Sequence, residues 1–212
     1  MTTPEQAEPP RRSYQDAVRR VASRWVAGLE RTSITPDGLT IAGVGLCLAG
    51  AVSVYFEYVT PWLYIAGGAL FVIGSVLDIL DGALARRSGK GTPFGAFLDS
   101  TVDRMGELFM LTAIGMVLMR DGSDWGVFLA FAAIGGSFLV SYARARAEAI
   151  GIKADVGFGT RAERVFVIAV GLAFAPFGSL PYVVAVLAVT AWLTVLQRIL
   201  YVRKRLLDQQ QP

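Results

Sequence analysis

The sequence predicts an all-α integral membrane protein: six transmembrane helices preceded by an N-terminal amphipathic helix lying in the membrane interface. Three observations carry this reading. Apolar residues make up 54% of the 212-residue chain and charged residues only 17%, against roughly 25% charge in soluble domains, so the chain cannot cover a water-facing surface. The apolar residues collect into six long stretches, comparable to the ~20 residues a helix needs to cross a bilayer. Basic residues fall almost wholly on one side of those stretches. The single cysteine, Cys47, permits no intrachain disulfide, and the lack of histidine excludes the usual zinc sites, histidine-ligated haem and Ser-His-Asp chemistry. Any chemistry must run on Asp, Glu, Lys, Arg, Ser or Tyr.

Taken in order, residues 1–12 are polar and Pro-containing and read as a disordered tail, without the apolar core of a signal peptide. Over 13–32, Ala17, Val21, Trp25, Val26 and Leu29 recur at helical spacing opposite Arg19, Arg20 and Arg24, the pattern of an interfacial helix. Thr35-Pro36-Asp37 reads as a helix start, with Thr35 capping and Pro36 in the first helical position. Apolar stretches follow at 37–59, 62–86, 94–119, 124–147, 163–178 and 180–203. They are expected to form one domain over 33–205, closed by a polar tail at 206–212. Of the 20 Lys and Arg residues, only Arg120 lies at a connection on the side opposite the others. The positive-inside rule then places both termini in the cytoplasm of a multi-pass plasma-membrane protein. That requires an even number of spans, and six fits.

The second stretch ends Asp78-Ile-Leu-Asp81-Gly82 and the third begins Gly95-Ala-Phe-Leu-Asp99-Ser-Thr-Val-Asp103. Spacings of three and four put each aspartate pair on one helix face, and the short turn between the stretches makes the helices antiparallel neighbours. Four carboxylates facing each other just inside the cytoplasmic boundary repel strongly and are costly to bury. A divalent cation relieves this, and all-oxygen ligands favour Mg²⁺, Mn²⁺ or Ca²⁺ over zinc. The plainer alternative, helix-end aspartates paired with Arg86, Arg87 and Arg104, does not account for two regular pairs on adjacent helices. Gly82 and Gly95 either admit a ligand close to the backbone or serve helix packing.

The whole pattern, Asp78-x-x-Asp81-Gly82-x-x-Ala85-Arg86, eight residues, then Gly95-x-x-x-Asp99-x-x-x-Asp103, resembles the signature of the CDP-alcohol phosphotransferase family. The resemblance covers roughly residues 13–205. It implies a two-metal site that cleaves the pyrophosphate of a CDP-linked lipid and transfers the phosphatidyl group to an alcohol, releasing CMP. It further implies that Asp78 and Asp99 bridge two Mg²⁺ ions, with Mn²⁺ as the alternative. Asp81 would complete the first ion and Asp103 the second, and Asp103 would also take the acceptor hydroxyl's proton. By the same resemblance Gly82, Arg86 and Thr92 hold the nucleotide and its phosphates, and Asp37-Gly38-Leu39-Thr40 forms a CDP-lipid-binding turn. The family is often dimeric, so a homodimer is expected; Gly67, Gly68 and Gly74 would permit tight packing.

A second polar cluster comprises Ser141-Tyr142-Ala-Arg144-Ala-Arg146-Ala-Glu148, then Arg161-Ala162-Glu163-Arg164, and Arg198 in the last stretch. Converging arginines suggest an anionic acceptor, a phosphorylated alcohol. Arginines also anchor helices by snorkelling to headgroups, and that is the preferred reading for Arg203, Lys204 and Arg205. The cluster resembles the inositol-phosphate branch of the family, in which Ser141, Arg144, Arg164 and Arg198 match acceptor-phosphate positions. The resemblance thus implies CDP-diacylglycerol and inositol phosphate as substrates, with membrane lipids and no nucleic acid as further partners. Arg144 stands where lysine is common, and Thr160-Arg161-Ala162-Glu163-Arg164 stands where Glu-Arg-Pro-Glu-Arg is usual. An archaeal-type ether-lipid donor belongs to a closely similar branch, and a glycerol-phosphate transferase of the same family is the competing acceptor reading. A cation transporter is disfavoured, because the carboxylates lie near one face and no polar path leads outward.

Overall fold

A computed structural model describes residues 35–89, 91–157 and 160–209. The expected tail at 1–12 and the amphipathic helix at 13–32 lie outside them. The described secondary structure is all helical: α1 (Pro36–Tyr55), α2 (Trp62–Ser88), α3 (Pro93–Arg120), α4 (Asp124–Ala149), α5 (Arg161–Ala173), a short 3₁₀ turn (Ala175–Phe177) and α6 (Leu180–Gln209).

Local chemistry sets the helix starts. Thr35 caps α1, its Oγ1 accepting from the Gly38 N–H at 3.2 Å, with Pro36 in the first turn as the sequence indicates. Thr92 repeats the arrangement on α3 ahead of Pro93, accepting from the Gly95 N–H at 2.9 Å. At α5, Thr160 and Glu163 form a reciprocal capping box, satisfying two N–H groups that the helix itself cannot. Between α2 and α3 the chain reverses at Gly89, whose φ of 64° is open to glycine at little cost.

Four helices, α1, α2 up to Arg86, α4 and α6, are long and apolar enough to cross a membrane, so this is an integral membrane protein. The other two differ from the expected pattern. At 28 residues α3 is long enough at about 1.5 Å per residue, but Asp99, Asp103, Arg104 and Glu107 all lie between its second turn and its midpoint. The stretch at 163–178 is not one helix: α5 has 13 residues and gives way to the 3₁₀ turn. Pro176 lacks the N–H that would continue the ladder, and Gly178, at φ 77°, turns the chain away. At the other end α6 runs on to Gln209, so residues 206–209 of the expected polar tail are helical. No glycine or proline interrupts residues 203–209, and most of them favour helix.

The central element is α3, which packs against α1 on one side and α4 on the other; α6 covers α4, and α5 lies on α2. Phe71, Met110, Ile114, Val117, Ile168, Leu172 and Val184 form the fully buried core between them. The closest seam joins α1 and α2. A Cβ at Gly43 would sit 2.9 Å from the Gly74 carbonyl oxygen and one at Gly74 2.5 Å from that of Gly43; Gly50 and Gly67 show 2.7 and 2.6 Å. Gly67 and Gly74 thus serve packing within the chain. Gly67→Ala is expected to drive the helices apart and cost about 1–3 kcal/mol, the usual scale of overpacking, readable as a lowered Tm of the detergent-solubilised protein.

Arg120 marks the far end of the bundle. It pairs with Glu57 at 3.3 Å and lies 4.8 Å over the rings of both Tyr55 and Tyr58. Trp62, Trp125 and Tyr182 are strongly exposed at that same end, the placement of an interfacial aromatic belt.

Candidate active site

The opposite end gathers the starts of α1, α3 and α5 and the final turns of α2, α4 and α6. Because successive helices run antiparallel, residues far apart in sequence meet there. Asp78 of α2 and Asp99 and Asp103 of α3 each present a carboxylate oxygen, all within 4.8 Å of one another. This is the facing arrangement that the spacings predict. Asp81 stands one turn on. Its Oδ2 accepts a hydrogen bond from the Thr40 hydroxyl of α1, while its Oδ1 is buried and without a hydrogen-bond partner among the described residues. Three of the four expected aspartates therefore converge, and the fourth is held beside them.

Two cavities flank these carboxylates. One, of about 230 Å³, is lined by Asp37, Thr40, Asp81, Gly82, Arg86, Thr92, Gly95 and Asp99. Gly82 and Gly95 differ from the glycines of the α1–α2 seam. A Cβ at Gly82 would touch only the Arg86 guanidinium, at 3.4 Å, and one at Gly95 would approach Asp37 Oδ1 at 3.1 Å and Thr92 Oγ1 at 3.2 Å. These glycines keep space inside the cavity. Gly38 and Leu39 stand outside its lining: Gly38 serves the Thr35 cap, and Leu39 packs on Leu80 and Leu84.

The other cavity, of about 350 Å³, is lined by Asp103, Ser141, Arg144, Arg164 and Arg198, together with Arg104, Asp155, Thr160 and Arg161. All four residues assigned to the acceptor phosphate are thus brought together from three helices. Arg144 pairs with Glu148 at 2.9 Å and Asp155 at 3.0 Å. Arg198 donates from Nε to the Val156 carbonyl at 3.1 Å, which ties the chain just beyond α4 to α6. Arg164 makes a two-point ion pair with Glu107, Nε to Oε1 at 2.8 Å and Nη2 to Oε2 at 2.9 Å.

Sequence reasoning gave no site role to three participants, of which Arg161 was read only as part of the basic cluster. Arg161, in the first turn of α5, reaches both Asp78 and Asp103. The Thr160–Glu163 capping box was the available signal, since it fixes the start of α5, although its nearness to α2 is a tertiary fact. Glu107 and Asp155 carry no motif signal. Glu107 lies four residues after Asp103, on the same face of α3.

The aspartate set fits a hard divalent cation. Its donors are all oxygen, three converge within 4.8 Å, and Asp81 Oδ1 is buried without a hydrogen bond. Arg161 and Arg104 contact the cluster, so four carboxylates meet two guanidiniums and negative charge remains in excess. Fold and site together define an integral membrane protein with a partly buried carboxylate cluster, suited to a divalent cation, between a small cavity and a basic one. The chain matches the CDP-alcohol phosphatidyltransferase family over residues 33–197; it belongs to that family and is a transferase.

Its relatives narrow the comparison. It is 37% identical over 180 residues to an archaetidylinositol phosphate synthase of Pyrococcus horikoshii, covering 84% of this chain and 88% of the relative. It also resembles the crystal structure of Mycobacterium tuberculosis phosphatidylinositol phosphate synthase with CDP-DAG bound, at TM-score 0.75 and 31% identity over 86% of this chain and 94% of that one. The same synthase in complex with manganese and citrate gives TM-score 0.74 and 32% identity, over 86% of this chain and 88% of that one. Divalent metal use follows from the aspartate cluster and this likeness together.

Proposed function

We propose that the protein transfers the phosphatidyl group of CDP-diacylglycerol to inositol phosphate, forming phosphatidylinositol phosphate and CMP. The observation that carries this is the placement of the aspartates between two cavities, one suited to a nucleotide diphosphate and the other lined by arginines. Asp78, Asp81, Asp99 and Asp103 would hold two Mg²⁺ ions, with Mn²⁺ able to serve. Bound there, such ions neutralise the carboxylates and the donor pyrophosphate and stabilise charge on the attacking and leaving oxygens. Thr40 orients Asp81 by donating to its Oδ2. Asp37, Gly82, Arg86 and Thr92 hold the nucleotide and its phosphates, while Gly38 and Leu39 set the turn that brings Asp37 and Thr40 into place. On the other side Ser141, Arg144, Arg164 and Arg198 hold the acceptor phosphate. Asp103, which lines the basic cavity, takes the acceptor hydroxyl's proton.

This reading includes a six-span topology in which α3 and α5, the latter with its 3₁₀ extension, complete the four apolar crossings. Both termini and the active site then face the cytoplasm, the plasma membrane is the host, and an amphipathic helix at 13–32 precedes a catalytic domain over 33–205. A homodimer completes it. The Pyrococcus relative supports a second reading of the donor alone: an ether-linked CDP-lipid with the same acceptor.

The test is CMP release by the purified protein with CDP-diacylglycerol and Mg²⁺, offered inositol phosphate, free inositol or glycerol phosphate. Inositol phosphate is expected to support turnover well above the other two; preferential use of glycerol phosphate would overturn the acceptor assignment. In the same assay Arg144→Ala should raise the inositol-phosphate KM roughly tenfold or more, the scale of a lost charge-assisted phosphate contact, and leave the CDP-lipid KM near wild type. Arg203→Ala, an anchoring residue, should change neither.

A further inference from the structure

Five acidic and basic side chains on α3 and α5 form a regular ladder. Asp99, Asp103 and Glu107 are spaced by four on one face of α3, and Arg161 and Arg164 are spaced by three on one face of α5. Arg161 meets Asp103, and one turn deeper Arg164 meets Glu107. The deeper rung is the better enclosed: the Arg164 and Glu107 side chains are only 12% and 10% exposed. Its two parallel N–H···O contacts, at 2.8 and 2.9 Å, fix the plane of the guanidinium as well as its position.

We infer that Glu107 is a positioning residue for the acceptor: it holds the Arg164 guanidinium at the wall of the basic cavity and so sets where the acceptor phosphate rests relative to Asp103. Resting on the acceptor-phosphate reading above, the inference adds a residue outside the family signature. The geometry favours this over simple charge balance. A carboxylate that merely neutralised Arg164 could approach at any angle, whereas both Glu107 oxygens are engaged by one edge of the fork. Arg164 meanwhile lines the same cavity as Asp103, Ser141 and Arg198. Since Asp103 and Glu107 sit on one rigid helix, the ladder fixes the distance between proton acceptor and phosphate holder.

The test is steady-state kinetics of CMP release with Mg²⁺, varying inositol phosphate and CDP-diacylglycerol separately, for wild type, Glu107→Gln, Glu107→Asp, Arg164→Ala and Glu107→Gln/Arg164→Ala. Glutamine keeps the shape but turns an N–H toward the guanidinium N–H. It is expected to raise the inositol-phosphate KM roughly tenfold, with the CDP-lipid KM within about twofold of wild type. Aspartate, which keeps the charge on a shorter arm, should restore part of the loss. Against Arg164→Ala, the Glu107→Gln change should add nothing to the acceptor KM. An acceptor KM unchanged in Glu107→Gln, or raised equally in both backgrounds, overturns the positioning role. Should the Gln variant not fold, the Asp variant carries the comparison, and an acceptor KM equal to wild type there overturns it too. The wild-type acceptor profile separates this from failure of the parent reading. Turnover with glycerol phosphate alone would change the acceptor's identity while the same KM comparison runs on that substrate. Turnover with free inositol alone would remove the phosphate, and the proposal with it.

Discussion

Asp78→Asn and Asp99→Asn should each reduce CMP release to background. Both positions face the centre of the carboxylate cluster, and each replacement removes a charge from the set proposed to hold two cations, at ligands assigned to both ions. Chelation of wild type should give the same loss, with Mg²⁺ or Mn²⁺ restoring turnover. A readout independent of activity is thermal stability. A ligand that binds only the folded protein stabilises it by about 2.7 kcal/mol at a hundred times its dissociation constant, so Mg²⁺ should raise the Tm of wild type and do so much less for either variant. Asp78 is also a partner of Arg161, and its loss leaves a guanidinium without one of its carboxylates, so the metal-dependent change in Tm is the quantity to compare. Full turnover by metal-free wild-type protein would falsify the two-metal site.

Asp103→Asn should separate two roles. Asp103 lines the basic cavity, while Asp99, one turn earlier, lines the other; of the converging pair on α3 it is the one on the acceptor side. An amide oxygen can still coordinate a hard cation but cannot accept a hydroxyl proton near neutral pH. The variant is therefore expected to keep measurable metal and CDP-lipid binding while kcat falls by at least about a hundredfold, within the usual contribution of general base catalysis. Single-turnover CMP release measured beside binding titrations decides it. Chemistry within about fivefold of wild type, with binding intact, would move proton transfer to another group.

Much of this site was legible because helices convert spacing into direction. Asp99 and Asp103 share a face as their four-residue separation implies, and the short turn between α2 and α3 brings Asp78 opposite them, while Thr35 and Pro36 start α1 where turn chemistry puts them. Legibility stops where the rotation of one helix against another decides the contact. Spacing places Asp81 on the face of Asp78 but cannot show Thr40 of α1 reaching across to it. Arg161 and Asp78 are 83 residues apart, and their pairing depends on how α5 lies on α2. The short fifth helix was hidden for another reason: hydropathy over 163–178 is blind to Pro176 and Gly178, which end helical geometry without lowering apolarity. Glu107 was overlooked because it completes no motif, although its place in the Asp99–Asp103 series could be counted.

The glycine seam has a consequence for which changes in chain length the protein can absorb. Gly43 and Gly50 are seven residues apart, as are Gly67 and Gly74, so the two contacts recur at the same two-turn interval on helices running in opposite directions. One residue inserted between Gly43 and Gly50 rotates the rest of α1 by about 100°, turning a side chain toward the backbone of α2 and taking Gly50 out of contact. The site would feel it through Thr40 and Asp81, which ride on the same pair of helices. The same insertion in the exposed 56–61 connector leaves both glycine contacts in register. Natural length variation should therefore collect in that connector, with the intervals 43–50 of α1 and 67–74 of α2 free of insertions and deletions.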